Sequence, residues 1–196
     1  MRAGPGPARA AAPGPALRLF AAVVPPASVL DHLDAAVSRV RDRDGAPRWT
    51  PRESLHLTVA FFGEVPERRV PDLTAALAEA PTPPGGRVRL DGAGTFPRRG
   101  APRVLWVGVD GDVDRLAELS RSAAAAAGEA GVPVRNDGRA YRPHLTVGRW
   151  AATAPADRGL ARALDAYTGP PFDVSSWRLV RSAGGYHTVA EWPLGA

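Results

Sequence analysis

The tetrapeptide His-Leu-Thr-Val occurs twice in this chain of 196 residues, at residues 56–59 and again at residues 144–147. The chain has four histidines in all, so two of them share one local sequence. An imidazole gives or takes a proton near neutral pH, and a hydroxyl two residues away can donate a hydrogen bond to an anionic oxygen. The paired motifs therefore favour proton-transfer chemistry at an anionic group, with one histidine as base and the other as acid.

Each motif lies in a run of alternating apolar and polar residues. In the first copy Leu55, Leu57 and Val59 share one parity, and His56 and Thr58 share the other. Successive side chains of a strand point to opposite faces, so each copy predicts a strand with a buried apolar face and a projecting His/Thr pair. The alternative is a duplicated structural strand whose histidine and threonine satisfy each other's hydrogen bonds.

Composition excludes several kinds of chemistry. The chain contains no cysteine, and all 25 of its Lys+Arg residues are arginine. Thiol nucleophiles, disulfides, Walker-type phosphate loops, lysine Schiff bases and lysine adenylates are therefore absent. The net charge of +5 and the pI near 10.8 fit an anionic partner bound by arginine forks, or they reflect the base composition of the genome.

The length is that of one compact domain. Residues 1–16 are rich in Pro, Ala, Gly and Arg and predict a disordered leader, and residues 17–196 predict a single bilobal domain. No apolar stretch approaches the length of a membrane span, and the leader has no secretory core. We expect a monomer in the cytoplasm with no membrane partner.

The two halves of the chain repeat one order of elements. A strand at 17–24 and a helix at 28–41 precede the first motif, and a strand at 104–109 and a helix at 113–130 precede the second. With Phe20 aligned to Trp106, His56 follows by 36 residues and His144 by 38. This pattern indicates an internal strand–helix–strand duplication.

Further elements extend each half. The sequence predicts a helix over 66–80, strands over 87–95, 174–180 and 186–192, and a short helix over 160–166. Strands outnumber helices and do not alternate with them regularly, which favours an α+β fold with mostly antiparallel sheets. We expect two pseudo-symmetric lobes and a central cleft with one motif on each wall.

The motif residues suit the opening of a phosphodiester by water, particularly a strained cyclic one. One neutral imidazole can remove a proton from water, and an imidazolium can protonate the departing oxygen. The hydroxyls of Thr58 and Thr146 can hold phosphate oxygens. Two histidines without a paired carboxylate motif make a poor metal cage, so no metal is expected.

Longer stretches around the motifs carry a family resemblance. These pieces are residues 18–20, 55–65, 104–108, 142–149 and 179–182. With them the chain resembles the two-histidine (2H) phosphoesterase superfamily, and within it the RNA 2′,3′-cyclic phosphodiesterases, historically called 2′-5′ RNA ligases. The resemblance extends over residues 17–194.

This resemblance implies a bilobal α+β fold and hydrolysis of RNA 2′,3′-cyclic phosphate ends to 2′-phosphomonoesters, with no metal or cofactor. It makes His56 the proton donor and His144 the proton acceptor, and it assigns substrate binding to Thr58, Thr146 and Arg149. The partners would be RNA ends or small nucleotides that carry a 2′,3′-cyclic phosphate. Without lysine, any joining of RNA would have to be the reversal of cyclic-phosphate opening.

Strand parity raises a question about Arg149. It is an odd number of residues from His144, so a regular strand would aim it away from the cleft. A bulge at Gly148 would turn it back, and a solvated surface arginine is the alternative.

Other residues and functions stay open at this point. Phe20, Tyr141 and Trp150 could stack a base, although core packing is favoured for Phe20, and His32 and His187 are interpreted as structural or exposed. The same motifs could serve a phosphodiesterase of 2′-5′-linked or small cyclic nucleotides, or a module that binds RNA ends without turnover. Substrate choice would depend on the loops at 94–102 and 151–158.

Overall fold

Antiparallel strands form the framework of the molecule. The computed structural model describes residues 14–134, 140–153 and 156–195, so residues 1–13 of the predicted leader lie outside the described residues. The strands are β1 Ala16–Val23, β2 Arg48–Trp49, β3 Leu57–Pro66, β4 Arg87–Phe96, β5 Val104–Gly111, β6 His144–Arg149, β7 Phe172–Asp173, β8 Ser176–Ser182 and β9 Tyr186–Pro193. The helices are α1 Ala27–Ser38, α2 Val70–Glu79, α3 Val113–Glu129 and α4 Gly159–Leu164.

The helix predicted from Pro66 is the element that shifts most. Pro66 ends β3, a 3-10 turn follows, and α2 begins at Val70 with Pro71 in its first turn. Proline fits that position because its fixed φ is helical and its missing N–H would lack a helical partner there anyway. Within the described ranges, none of the helices is long and apolar enough to span a membrane.

The strands form one continuous sheet in the order β7-β4-β5-β6-β3-β1-β8-β9, with β2 added beside β6. All of its strand pairs are antiparallel. The order divides into two halves of four strands, which meet where β3 pairs with β6 through Leu57 and Leu145. The predicted α+β class with antiparallel pairing is confirmed, and the two expected sheets are the halves of this one sheet.

One face of the sheet is covered by the helices and holds the main core. Leu57, Leu145 and Val147 project into it, together with Leu33 of α1 and Leu119 of α3. Leu57 and Leu145 are fully buried, and burial of each stabilises the fold by roughly 2 kcal/mol. A slip of one residue would move both leucines to the opposite face, so burial fixes the register of the two motif strands.

A β-bulge interrupts each motif strand at the same place. In β6, Thr146 and Gly148 pair with consecutive residues of β5, so Val147 is an extra residue. In β3, Thr58 and Ala60 pair with consecutive residues of β1, and the residue between them is extra in the same way. An extra residue reverses the alternation of side chains along a strand.

The bulges turn the following residues onto the face that carries the histidines. Arg149 pairs with Val104, and Phe61 pairs with Phe20. The ladders thus equate Phe20 with Val104, so the sequence alignment of Phe20 with Trp106 was wrong by two residues. Alternating strands align equally well at any even shift, and only the pairing to the neighbouring strand decides between the alignments.

Candidate active site

The four motif residues lie together on the open face at the centre of the sheet. His56 immediately precedes β3, and His144 begins β6. The pairing of Leu57 with Leu145 sets His56 opposite Thr146 and Thr58 opposite His144. The histidines are then diagonal neighbours, with Cβ atoms roughly 7–8 Å apart, a span that suits one phosphate between them. All four side chains are partly exposed.

Both imidazoles are held by the same backbone device. Nδ1 of His56 lies 2.8 Å from the carbonyl oxygen of Ser54, and Nδ1 of His144 lies 2.8 Å from that of Arg142. A carbonyl can only accept, so Nδ1 carries the hydrogen in each ring. This leaves Nε2 of each imidazole as the nitrogen that exchanges a proton, and the matched bonds give both rings a fixed orientation.

The threonines differ in their partners. Thr58 Oγ1 lies 3.1 Å from Nε2 of His56, whereas within the described residues Thr146 has no such bond to His144. The hydroxyl of Tyr141 donates to the carbonyl oxygen of Thr58 at 3.1 Å and so ties the lead-in to β6 to strand β3. The first half of the site is therefore more fully hydrogen-bonded than the second.

Aromatic rings pack against each imidazole. The ring of His56 lies 4.7 Å from that of Phe20 and 5.1 Å from that of Tyr186, centroid to centroid. The ring of His144 lies 5.1 Å from that of Phe96, nearly perpendicular to it. The sequence did not indicate Tyr186 or Phe96, because they come from strands distant in sequence. Each ring covers part of the surface of the imidazole that it contacts.

The environment lowers the pKa of both histidines. Burial is the largest cause in each case, and the hydrogen bond from Nδ1 to the backbone carbonyl opposes it. The charge of Arg149 lowers the pKa of both His56 and His144 further, helped by His144 itself in the first case and by Arg142 in the second. The neutral imidazoles are thus favoured until an anion enters the cleft and stabilises the imidazolium.

The bulge decides the question about Arg149 in favour of the cleft. Arg149 is exposed and lies on the histidine face, where its charge acts on both imidazoles. The extra residue is Val147 and not Gly148 as expected, and a Cβ on Gly148, the residue after it, would stand 2.5 Å from Cγ of Pro47, so that position favours glycine. A guanidinium placed here can donate to phosphate oxygens.

The remaining aromatic and histidine candidates have structural roles. Trp150 is 5% exposed, and its indole N–H donates to the carbonyl oxygen of Gly45 at 2.6 Å, so the suggestion that it stacks a base is wrong. His32 contacts the hydroxyl of Tyr167, and the exposed His187 lies beside a backbone carbonyl. Both fit the predicted structural or exposed character.

Within the described residues, no group of three or more His, Cys, Asp or Glu side chains could hold a metal ion. Metal independence itself stays a prediction until activity is measured under chelation.

Comparison with known proteins shows the family to which the chain belongs. The chain belongs to the 2′-5′ RNA ligase superfamily, whose family model matches residues 29–185. An RNA 2′,3′-cyclic phosphodiesterase of Thermus thermophilus is 36% identical over 188 residues, which cover 89% of this chain and 88% of the relative. The family resemblance that the motifs indicated is confirmed.

Solved structures extend the likeness to the whole fold. A crystal structure of a Thermus thermophilus protein superposes with a TM-score of 0.74 at 30% identity, and covers 91% of this chain and 98% of that one. The apo structure of Escherichia coli LigT superposes with a TM-score of 0.71 at 26% identity, and covers 93% of this chain and all of LigT.

Proposed function

We propose that the protein hydrolyses the 2′,3′-cyclic phosphate ends of RNA to 2′-phosphomonoesters, with His56 as proton donor and His144 as proton acceptor. The observation that carries the proposal is the paired orientation of the imidazoles. Each is fixed through Nδ1 by a backbone carbonyl, which leaves Nε2 for proton transfer in a common cleft. The Thermus thermophilus relative, an RNA 2′,3′-cyclic phosphodiesterase, supports the same reaction.

The reaction is an in-line displacement at phosphorus. Nε2 of neutral His144 takes a proton from water as the water oxygen bonds to phosphorus. The bond from phosphorus to the ribose O3′ breaks on the opposite side, and Nε2–H of His56 protonates O3′ as it leaves. The phosphate stays on O2′, and the proton lost by His56 is balanced by the one that His144 gains.

The side chains beside the histidines stabilise the negative charge that develops on the phosphate. The hydroxyls of Thr58 and Thr146 and the guanidinium of Arg149 donate to its non-bridging oxygens, where negative charge grows as water attacks. The substrate anion also opposes the lowering of the histidine pKa values, because it stabilises an imidazolium beside it. Binding of substrate therefore favours protonation of the acid that the reaction needs.

The test is incubation of an RNA that ends in a 2′,3′-cyclic phosphate with the protein and excess EDTA, without ATP, followed by identification of the product isomer. We expect a 2′-phosphate, and turnover that is lower by about 100-fold or more in the His144→Ala variant. Loss of activity in EDTA with recovery on one added metal would make the histidines ligands. Tight binding without opening would identify a binding module instead, and faster cleavage of 2′-5′-linked or small cyclic nucleotides would change the substrate.

The monomeric state, the cytoplasmic location and the boundary between leader and domain at residues 16 and 17 remain predictions. Strand β1 begins at Ala16, where it pairs with Pro66, so the ordered fold includes that residue.

A further inference from the structure

Two arginines outside the motifs lie beside the His144 half of the cleft, and the first of them is Arg142. Arg142 stands two residues before His144, and its carbonyl oxygen accepts the hydrogen bond from Nδ1 of that histidine. Its guanidinium carbon lies over the indole ring of Trp106, 4.3 Å from the ring centroid. Backbone and side chain are therefore both held, and the N–H groups at the edge of the guanidinium remain able to donate.

The indole ring beneath Arg142 is held in place by its neighbours. Trp106 is 6% exposed and packs against the ring of Phe96 at 5.4 Å. A Cβ on Gly94 would stand 2.2 Å from Cζ2 of Trp106, so the ring lies against the backbone of β4 only because Gly94 has no side chain. The position of Arg142 thus depends on Gly94, because the missing side chain there lets the indole of Trp106 approach β4 closely.

Arg98 is the second of these arginines, and a third arginine fixes its loop. Arg98 follows β4, in the loop that leads to β5. Arg158 spans this loop and donates to Thr95 Oγ1 at 2.7 Å, to the carbonyl of Pro97 at 3.0 Å and to that of Gly100. Phe96, two residues before Arg98, packs on the same Trp106 ring that lies beneath Arg142, which brings the start of this loop next to Arg142. In agreement with this placement, the charge of Arg98 is, after burial, the next cause that lowers the pKa of Arg142.

Within the described parts of the chain, neither the guanidinium of Arg98 nor that of Arg142 forms an ion pair with a carboxylate. By contrast, Arg178 at the far edge of the sheet pairs with Glu191. Like charges held together without a carboxylate repel each other, and an anion relieves that repulsion. The corresponding position before the first histidine is Ser54, so this charge belongs to one side of the cleft only.

We propose that Arg98 and Arg142 bind the phosphodiester on the 5′ side of the terminal nucleotide, so that the enzyme acts on RNA chain ends in preference to free nucleoside 2′,3′-cyclic phosphates. An extended chain advances about 3.3 Å per residue, so the Cα atom of Arg142 lies about 7 Å from that of His144. This distance is on the scale of one nucleotide step. The inference rests on the proposed function, since it gives the same site its substrate class.

Three substrates test it. They are uridine 2′,3′-cyclic phosphate, a dinucleotide with the same cyclic end, and that dinucleotide with an uncharged methylphosphonate linkage. We expect wild-type kcat/KM to be about tenfold higher for the charged dinucleotide than for the methylphosphonate, the scale of one charge-assisted contact. Arg98→Gln and Arg142→Gln should each bring this ratio close to one, because glutamine removes the charge and leaves the backbone carbonyls in place.

The control is Arg121→Gln, which removes one charge from the exposed side of α3, on the helix-covered face of the sheet. It should keep the wild-type ratio. The salt dependence should agree, with a log–log slope of kcat/KM for the charged dinucleotide that is shallower by about 0.7 in Arg142→Gln.

Two results would overturn the inference while the proposed function stands. One is a wild-type ratio near one, and the other is a loss in Arg142→Gln that is equal for all three substrates, which would mean a structural role beside His144. If the wild type opens none of the three substrates, the proposed function itself fails.

Discussion

The two halves of the cleft repeat one backbone design with different side chains. Each histidine donates from Nδ1 to the carbonyl two residues earlier, and each motif strand has a bulge just after its threonine. The residue that supplies the carbonyl is Ser54 in the first half and Arg142 in the second. The second residue after the extra valine is Phe61 in the first half and Arg149 in the second. At these two positions the first half, here called the apolar half, carries no charge, whereas the second half carries two guanidinium groups.

The apolar half has a small core of its own on the cleft face. Phe20, Ala22 and Val180 are buried there with Phe61 beside them, and Arg18 lies over the ring of Phe61 at 5.0 Å. In the second half Val104 and Trp106 stand at the positions of Phe20 and Ala22, and Arg149 stands at the position of Phe61 and presents its charge to the cleft. The orientation of the imidazoles, which depends on the backbone, is thus the same in the two halves, whereas the side chains around them differ.

The histidines are the shared part of the comparison, so their removal should have the largest effect. We expect His56→Ala and His144→Ala each to lower kcat by about 100-fold or more, the usual contribution of a positioned acid or base. The measurement is steady-state turnover of a cyclic-phosphate RNA, with circular dichroism to check the fold. His32→Ala is the control and should stay near wild type. Near-normal turnover of either motif variant would contradict the assignment of that histidine as acid or base.

Substitution of the two motif threonines should have the next largest effect on turnover. Thr58→Val and Thr146→Val keep the shape and remove the hydroxyl, and we expect each to lower kcat by about tenfold or more while KM changes less, because donors to the phosphate matter most in the transition state. Separate kcat and KM values on the same RNA decide this. A change in KM alone, for both variants, would favour phosphate capture without a catalytic role.

The residues after the bulges test the difference between the halves. We expect Arg149→Ala to lower kcat by about tenfold, since its charge faces the developing anion, and Phe61→Leu to change it by less than about threefold, since an apolar contact is largely retained. Equal effects of the two variants would show that the halves share the work of binding phosphate. If Arg149→Ala keeps the wild-type kcat, Arg149 is a solvated surface residue that does not act on the phosphate.

The pH dependence should show the smallest effect, a shift of the kcat and kcat/KM profiles along the pH axis. One imidazole must be neutral and the other charged, so kcat/KM should be bell-shaped. Because both histidine pKa values are lowered in the free protein, the maximum should lie below the ordinary value of about 6.5. The bound phosphate raises these pKa values, so the kcat profile should lie at higher pH than that of kcat/KM.

Arg149→Ala sharpens this last measurement. Its charge lowers the pKa of both histidines, so its removal should move the kcat/KM maximum toward higher pH. Initial rates between about pH 4.5 and 9 in buffers of constant ionic strength give both profiles. A flat profile would indicate a step limited by binding or product release.

The sequence by itself determined the elements and the chemical groups. Alternation around Leu57 and Leu145 predicted two strands with His/Thr pairs on the open face, and both pairs lie there. Helical spacing placed α1 and α3 to within a few residues. The absence of cysteine and lysine excluded whole mechanisms without any structure. These inferences succeed because periodicity and composition are local properties of the chain.

Tertiary structure decided the surroundings of the histidines. Tyr186 and Phe96 reach the imidazoles only because the sheet brings distant strands together, and Arg149 faces the cleft only because β6 has a bulge against β5. No repeat in the sequence distinguishes an alignment of Phe20 with Trp106 from one with Val104. Side-chain alternation has a period of two residues and is blind to even shifts, so register and bulges are fixed by the partner strand, and with them the direction of each side chain that follows.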